Sequence, residues 1–283
     1  GVFVTKWGTQ GTGDGEFQYP GGVAVASDGS VYVSEESNDR IQKFTSEGVF
    51  ISKWDTQGSD DGEFYEPIGI GVASDGSVYV ADGGNSRIQQ LTSEGVFISE
   101  LGSYGEGEGQ FNFPVGVAVA ADGSVYVTDP SSRRIQKFTS DGVFISELGT
   151  QGSDDGEFYE PIGVAVASDG SVYIADSHNK RIQKFGCLDV PESPSVVIVA
   201  PEPHPYTPTA TTSTQVPPLR TAETCSSAGF ASKWSTYGEG DGQLDYPTGV
   251  AVASDGRVYV ADSGNHRIQK LTSEGAFIST WGT

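Results

Sequence analysis

The chain has 283 residues and a formal net charge of −22, with 16 Lys and Arg against 38 Asp and Glu. This charge disfavours binding to nucleic-acid phosphates or to an anionic membrane surface, so we expect no nucleic-acid partner. No apolar stretch approaches the length of a membrane span, so we expect no direct membrane insertion. The chain starts at Gly1 and contains no Met, which predicts a processed product or an excised domain.

An internal repeat organises the sequence. The string GVAVASDGSVYV begins at Gly22 and returns with small changes at Gly69, Gly116, Gly163 and Gly249. The first four copies are spaced by 47 residues, and the last interval is 86 residues. Four predicted strands per repeat of this length are typical of β-propeller blades.

The first copy shows the four strands, which we name a to d. Strand a is Gly22–Ser27, whose small apolar residues suit a crowded inner strand. A hairpin turn at Ser27–Gly29 leads to strand b, Ser30–Val33, which is rich in β-branched and aromatic residues. Strand c, Arg40–Thr45, and strand d, Val49–Trp54, follow, and an acidic Gly-rich connector leads to the next copy. We therefore expect an all-β propeller of four-stranded antiparallel blades.

The first eight residues, GVFVTKWG, match strand d without a preceding strand a, b or c. An unpaired strand can add to the sheet edge of another molecule, so the segment predicts a homo-oligomer or a filament formed by strand addition. The candidate strand-addition residues are Val2, Phe3, Val4 and Trp7.

The fourth copy is interrupted after strand c, which ends at Phe185, and its strand d resumes at Gly229–Trp234. The segment 187–228 between them is rich in Pro and Thr, which predicts an extended insert of the kind that is often O-glycosylated in secreted proteins. The candidate O-glycosylation positions are Thr207, Thr209, Thr211 and Thr212.

The only two cysteines, Cys187 and Cys225, flank this insert. Because they follow strand c and precede strand d, their Cα atoms are expected within bridging distance, and a disulfide would limit the entropy of the insert. The disulfide predicts an extracellular or cell-surface location. Two free buried thiols are the alternative.

The repeats divide the chain into three parts. Residues 1–186 hold four repeats and the surplus strand, 187–228 form the insert, and 229–283 hold the outer strand of the fourth repeat and the fifth repeat. Five blades with a protruding insert agree best with the cysteine positions. The insert as a degenerate sixth blade, or residues 1–186 closing by themselves, are the alternatives.

The pattern G-x-G-x-F-x-x-P-x-G-V-A-V-x-x-D-G-x-V-Y-V-x-D-x-x-N-x-R-I-Q-x-F resembles the NHL repeat family in all five copies. Departures are Glu35 for the aspartate after strand b, Ser132 for the asparagine and Leu244 for the connector phenylalanine. The resemblance implies a propeller. Members of the family act as protein- or RNA-binding platforms, as receptor sensor domains and as a lyase domain in peptide amidation, so it implies function only broadly. RNA binding in the family relies on a basic face, which this acidic chain does not favour.

Candidate chemistry is sparse. His178 and His266 lie in b–c loops at different offsets from the following arginine, and His204 lies in the insert. They do not show the convergent spacing of a metal site, and the histidine-bound metal of the amidating lyases has no evident counterpart. We therefore predict no catalytic residues, no metal site and no enzymatic activity.

Two repeated acidic features are open to a structural interpretation. The connectors Ser59–Glu63 and Ser153–Glu157 lack the alternating ligands of a calcium loop, so we predict solvated turns, with weak Ca²⁺ binding as the alternative and no other cofactor. An aspartate after strand b precedes an arginine by five residues and is predicted to fix the b–c loop by a charge-assisted hydrogen bond. These pairs are Asp82 and Arg87, Asp129 and Arg134, Asp176 and Arg181, and Asp262 and Arg267.

We expect a non-enzymatic extracellular module that binds a protein or a glycan, or that self-associates. The insert 187–228 is the only large departure from the repeat, which makes it a candidate for a specific role. A metal-dependent lyase or hydrolase that uses the central channel, and the sensor domain of a larger surface receptor, are the alternatives.

Overall fold

The computed structural model describes residues 3–187 and 228–282. The predicted disulfide and O-glycosylation sites therefore stay predictions, because positions required for both lie outside the described residues. For the disulfide the position is Cys225, and for O-glycosylation the positions are Thr207, Thr209, Thr211 and Thr212. Val2 of the N-terminal segment also lies outside the described residues.

The described residues form five four-stranded antiparallel sheets, one for each repeat, and a short parallel pair, β1 (Thr9–Gln10) with β2 (Glu16–Phe17). Blade 1 contains β3 (Pro20–Val25), β4 (Val31–Glu35), β5 (Arg40–Phe44) and β6 (Phe50–Trp54). Blade 2 contains β7 (Pro67–Val72), β8 (Val78–Asp82), β9 (Arg87–Leu91) and β10 (Phe97–Leu101). Blade 3 contains β11 (Val117–Val119), β12 (Val125–Asp129), β13 (Arg134–Phe138) and β14 (Phe144–Leu148). Blade 4 contains β15 (Pro161–Val166), β16 (Val172–Asp176), β17 (Arg181–Cys187) and β18 (Ala228–Trp234). Blade 5 contains β19 (Pro247–Val252), β20 (Val258–Asp262), β21 (Arg267–Leu271) and β22 (Phe277–Gly282).

The prediction of an all-β propeller with five four-stranded blades is confirmed. Blade 4 takes its outer strand from beyond the insert, since β17 pairs with β18 and places Ile182 opposite Trp234. The alternative in which residues 1–186 close by themselves is therefore wrong, because the fourth blade is completed by β18 and not by the N-terminal segment. No helix among the described residues is long and apolar enough to cross a membrane.

Residues 3–8 do not form the expected strand and run as irregular chain before β1. Phe3 and Val4 are exposed, whereas Trp7 packs on blade 1 with its ring 4.7 Å from that of Phe44. A strand needs a hydrogen-bonded neighbour, and the structure gives this segment none in the described part of the chain.

The apolar core lies between blades. Tyr32, Ile41 and Trp54 on one face of blade 1 pack against Ile70 and Val80 of blade 2. The same arrangement joins blades 2 and 3, 3 and 4, and 4 and 5. We call the face that carries the Tyr, the Ile and the terminal Trp or Leu of strand d the trailing face, and the opposite one the leading face. Each buried Val, Ile or Leu contributes about 1.5–3 kcal/mol, so these interfaces hold the blades together.

The ends of the strands define two surfaces of the propeller. The connectors and the b–c loops lie at one end of every blade, which we call the connector face, because strand a starts where strand b ends. The a–b and c–d turns lie at the other end, which we call the turn face. The inner strands pack closely enough that a Cβ on Gly69 would collide with the Val115 carbonyl.

Candidate binding surface

A buried polar network at the connector face ties each b–c loop to the connector before it. In blade 2, Arg87 Nε donates to Asp82 Oδ2 at 2.8 Å, and Arg87 Nη2 donates to the carbonyls of Asp60 at 2.8 Å and Glu63 at 3.0 Å. Gln89 Nε2 donates to the Glu63 carbonyl at 2.6 Å and to Asp82 Oδ2 at 3.1 Å. The irregular connector is thus held by side chains that are themselves buried.

Asn85 completes this network, because its Nδ2 donates to the Gly58 carbonyl at 2.8 Å and to Asp82 Oδ2 at 2.9 Å. Burial disfavours the Arg87 cation, but its hydrogen bonds with Asp82 and Glu100 outweigh that cost, and the pKa of Arg87 is raised. The network therefore holds a charged pair out of water with most of its polar groups satisfied, which makes the loop rigid.

The predicted aspartate–arginine pairs occupy equivalent places in blades 4 and 5. The Nε–Oδ2 distance is 2.7 Å for Arg181 and Asp176 and also for Arg267 and Asp262. In blade 1 the longer side chain of Glu35 takes the place of the aspartate and accepts a hydrogen bond from the arginine that follows it.

Blade 3 differs from the expectation. Among its described contacts, Asp129 makes no hydrogen bond with Arg134, although Arg134 Nη1 donates to Glu147 Oε2 at 3.1 Å as Arg87 Nη1 donates to Glu100 in blade 2. Ser132 stands in place of the asparagine, and its side chain is too short to bridge the aspartate and the connector. Pro130 has no N–H with which to bind the connector backbone. The loop of blade 3 is therefore held by fewer bonds than its counterparts.

One member of the network is not predicted from the sequence. A buried glutamine on strand c lies two residues after each arginine and binds the connector backbone. The same glutamine at the middle of strand c in all five copies is the pattern that could have identified it. These glutamines are Gln42, Gln89, Gln136, Gln183 and Gln269.

The acidic connectors use their last carboxylate to close a turn. Glu63 Oε2 accepts a hydrogen bond from Asp60 N at 3.1 Å, and Gln110 Oε1 accepts one from Gly107 N at 3.0 Å at the same place in the next connector. Because an amide serves as well as a carboxylate, the turn needs an acceptor and not a charge. Within residues 3–187 and 228–282, no three His, Cys, Asp or Glu side chains are grouped to hold a metal ion. Weak Ca²⁺ binding stays a prediction.

Exposed tyrosines lie on the connector face. Tyr104 and Tyr237 occupy the same place in two connectors, and both side chains are exposed. Tyr65 is also exposed, and its backbone N donates to Asp82 Oδ1 at 2.8 Å, which ties it to the buried network. Exposed carboxylates follow two of these tyrosines, with Glu106 beside Tyr104 and Glu239 beside Tyr237. The face is thus both aromatic and acidic.

One junction on this face is neutralised by the chain itself. Lys180 Nζ of blade 4 lies 2.5 Å from Asp245 Oδ1 of the following connector. The same ammonium lies 3.5 Å from the ring centroid of Tyr246 and 4.9 Å from that of Tyr237. The equivalent residue in blade 2 is Ser86, so the surroundings of Tyr104 lack this cation.

The turn face has a shallow depression of about 370 Å³ at the inner ends of three blades. No ionisable side chain is part of its described lining, which offers small apolar surface and two serines. The lining residues are Val25, Ala26, Ser27, Val72, Ala73, Ser74, Val119, Ala120 and Ala121.

Known proteins resemble this chain in sequence and in fold. A family model described as "NHL repeat" matches five segments, each of which runs from the connector Phe or Leu to the end of strand c: 17–44, 64–91, 111–138, 158–185 and 244–271. A 48-residue stretch is 44% identical to the B-box type zinc finger protein ncl-1 of Caenorhabditis elegans, and it covers 17% of this chain and 6% of that protein.

Two solved propellers show the same fold at low identity. The virginiamycin B lyase of Staphylococcus aureus aligns with a TM-score of 0.56 and 14% identity over 93% of this chain and 69% of the lyase. A chain of a nidogen/laminin complex aligns with a TM-score of 0.60 and 13% identity over 93% of this chain and 81% of its own length. At these identities the likeness shows the fold alone.

Proposed function

Because the chain belongs to the NHL-repeat β-propeller family, we propose that it is a non-enzymatic module that binds a partner protein through the tyrosines of its connector face. The fold supports a binding module in general. The observation that carries the proposal is the exposure of Tyr65, Tyr104 and Tyr237 on connectors that a buried network holds in place.

Tyrosine is suited to this role because it offers a large apolar ring and a hydroxyl at a low cost in conformational entropy. The backbone beneath Tyr65 is already fixed by Asp82, so the partner would not have to order it on binding.

The charge of the surface defines the chemistry of the partner. The chain carries a net charge of −22, and exposed carboxylates such as Glu106 and Glu239 lie beside the tyrosines. A partner segment rich in Lys and Arg would be attracted to this surface and would associate more slowly as salt rises. A glycan and a second copy of the chain are the alternative partners.

We further propose an extracellular or cell-surface location. Its support is the sequence position of Cys187 and Cys225 on either side of the insert, which favours a disulfide.

Site-specific photo-crosslinking tests the proposed surface. A benzoylphenylalanine is placed at Tyr104 in one variant and at the exposed Val143 of blade 3 in a control variant, and each is incubated with extracellular protein from the natural source. The protein captured from position 104 alone is then purified and titrated. We expect the double variant Tyr104→Ala and Tyr237→Ala to raise its Kd at least tenfold, a loss of about 1.4 kcal/mol, and Val143→Ala to leave it unchanged.

Equal crosslinking from both positions, or a Kd that the tyrosine variants do not change, would contradict the proposal. A crosslinked product of twice the chain mass would identify a second copy as the partner.

A further inference from the structure

A lysine near the end of strand c bridges neighbouring blades on the turn face. In blade 1, Lys43 Nζ donates to the Ser93 carbonyl of blade 2 at 2.9 Å and lies 5.3 Å from the ring centroid of Tyr32. The pKa of Glu94 in the same turn is lowered, first by a hydrogen bond from Ser93 and further by the charge of Lys43. The ammonium thus meets an aromatic ring of its own blade and a carbonyl and a carboxylate of the next blade.

Three further blades repeat this cation. Their lysines lie 5.3–5.4 Å from the ring centroid of the tyrosine opposite them on strand b, and they are Lys137, Lys184 and Lys270. In blade 2 the equivalent residue is Gln90, which lies opposite Tyr79 in the strand pairing. Gln90 Oε1 accepts a hydrogen bond from Ser99 Oγ at 2.9 Å, and its amide carries no charge. Strand c of blade 2 therefore supplies no ammonium to the junction with blade 3.

The junction of blades 2 and 3 keeps the groups that meet the ammonium in blade 1. The Ser140 carbonyl corresponds to that of Ser93, and it accepts no hydrogen bond within the described residues. Asp141 corresponds to Glu94 and is exposed, and Asp75 in the a–b turn of blade 2 is exposed as well. The acceptor and the negative charges are thus present without the lysine.

The hydroxyl of Tyr79 is a buried polar group at the same junction. The residue is 2% exposed, and its hydroxyl makes no hydrogen bond in the described part of the chain, whereas that of Tyr32 donates to the Ser93 carbonyl at 3.4 Å. Burial raises the pKa of Tyr79, and the charges of Asp75 and Asp141 raise it further. The hydroxyl therefore lies close to two carboxylates that strand c does not neutralise.

We propose that the turn face at the junction of blades 2 and 3 binds the ammonium group of a lysine from a partner protein. The ammonium would lie over the ring of Tyr79 and would donate to the Ser140 carbonyl, in the way that Lys43 is held in blade 1. Asp75 and Asp141 would provide the opposite charge. An aromatic face attracts an ammonium, whereas a metal ion would need a cage of oxygen ligands.

This site goes beyond the proposed function, because it lies at the opposite end of the blades from the tyrosines of the connector face. Variants at Tyr104 and Tyr237 leave it intact, and variants at Gln90 leave the connector face intact. The two proposals can therefore fail independently.

The probe is Nα-acetyl-lysine methylamide, a lysine whose backbone charges are blocked, added to the full chain at constant ionic strength. NMR of the backbone amides should show saturable 1:1 binding in the millimolar range, with the largest shifts at Ser77, Tyr79 and Asp141. The norleucine analogue has the same side-chain length without the ammonium and should cause no saturable shift.

Three variants locate the site. Gln90→Lys supplies the cation of the other blades and should abolish binding of the probe. Asp75→Asn should raise the Kd about fivefold, as expected for the loss of one exposed ion pair. Asp169→Asn is the matched control, since it removes the same charge from the equivalent turn of blade 4, where Lys184 is present, and it should leave the Kd unchanged. Both aspartates accept a hydrogen bond from a serine N–H, and asparagine keeps an acceptor for it.

A fourth variant transfers the site. Lys43→Gln gives blade 1 the uncharged residue of blade 2 and should add a second bound probe, seen as shifts at Ser30 and Glu94. Absence of saturable binding to the natural chain, binding that Gln90→Lys does not remove, or equal binding of the norleucine analogue would overturn the proposal. Ca²⁺ that shifts the same amides and displaces the probe would overturn it in favour of a metal site.

Discussion

Blades 2 and 3 have nearly the same backbone but hold their b–c loops differently. In blade 2, Asp82 accepts hydrogen bonds from Arg87, Asn85 and Gln89. In blade 3, Asp129 accepts only the backbone N–H groups of its connector among the described contacts, at 3.0 and 3.2 Å. The two loops nevertheless leave the same strands at the same register.

This difference separates what builds a blade from what fixes its loop. Strand pairing and the apolar interfaces are the same in both blades, so they do not need the aspartate–arginine bond. The bond instead joins the ends of strands b and c that flank the loop. In blade 2 the loop is also bound to the connector by Asn85 Nδ2 and by Gly83 N, which donates to the Glu66 carbonyl, whereas Pro130 of blade 3 has no N–H to do so. We therefore expect the polar network to contribute to stability unequally among the blades.

The largest effect is expected from removing the aspartate in each blade. Asp82→Ala removes the buried carboxylate partner of Arg87 and leaves only the half-exposed Glu100, so it should lower the free energy of unfolding by about 3–5 kcal/mol. Asp129→Ala leaves two backbone N–H groups without an acceptor but removes no bond to an arginine. It should lower the free energy of unfolding by about 1–3 kcal/mol. Urea denaturation followed by circular dichroism measures both, and equal losses would show that the bond to Arg87 does not distinguish the blades.

A smaller effect is expected from giving blade 3 the missing amide. Ser132 Oγ is buried without a hydrogen-bond partner. Ser132→Asn should raise the free energy of unfolding by about 0.5–1.5 kcal/mol, because the amide can bridge Asp129 and the connector as Asn85 does in blade 2. Ser132→Ala is the control, since it removes the hydroxyl and adds no bond. If Asn is no better than Ala in thermal unfolding, the loop of blade 3 does not accept the bridge.

The smallest effect is expected from the outer carboxylates, which the two blades share. Glu100 pairs with Arg87 at 2.8 Å and Glu147 pairs with Arg134 at 3.1 Å, but their side chains are 46% and 44% exposed. Solvent screens both pairs, so Glu100→Ala and Glu147→Ala should each cost at most about 1 kcal/mol, and less at high salt. A clearly larger loss for either variant in the same urea assay would mean that the outer pair carries part of the difference.

The sequence allowed the blades and the aspartate–arginine bond of this network to be predicted. The period of the repeat defines the strands, and the spacing of Asp82 and Arg87 predicts their bond. Ser132 was visible as a departure from the repeat, although the missing bond between Asp129 and Arg134 was not. The other acceptors of the network, such as the Glu63 carbonyl, are backbone groups that no residue type identifies, and they meet the arginine only in the folded blade.

The exposure of the leading face of blade 1 could not be predicted, for a different reason. Val23 and Ile70 occupy equivalent places in copies of one repeat, so the pattern predicts the same burial for both. Ile70 is 7% exposed but Val23 is 67% exposed, because no blade among the described residues packs on the leading face of blade 1, whereas blade 1 packs on that of blade 2. The tyrosines of the connector face were not predicted as a binding surface, because they lie in connectors whose sequence predicts solvated turns.

The pairing of β17 with β18 has a consequence for the order in which the molecule folds. In blades 1, 2, 3 and 5 a turn of about five residues joins strands c and d, whereas about 40 residues separate them in blade 4. This is roughly three doublings of loop length and adds about 2 kcal/mol to the entropic cost of closure. Trp234 of β18 also belongs to the core cluster shared with blade 5. We therefore expect blades 1 to 3 to assemble early, and the docking of blade 5 to wait for the slow closure of blade 4.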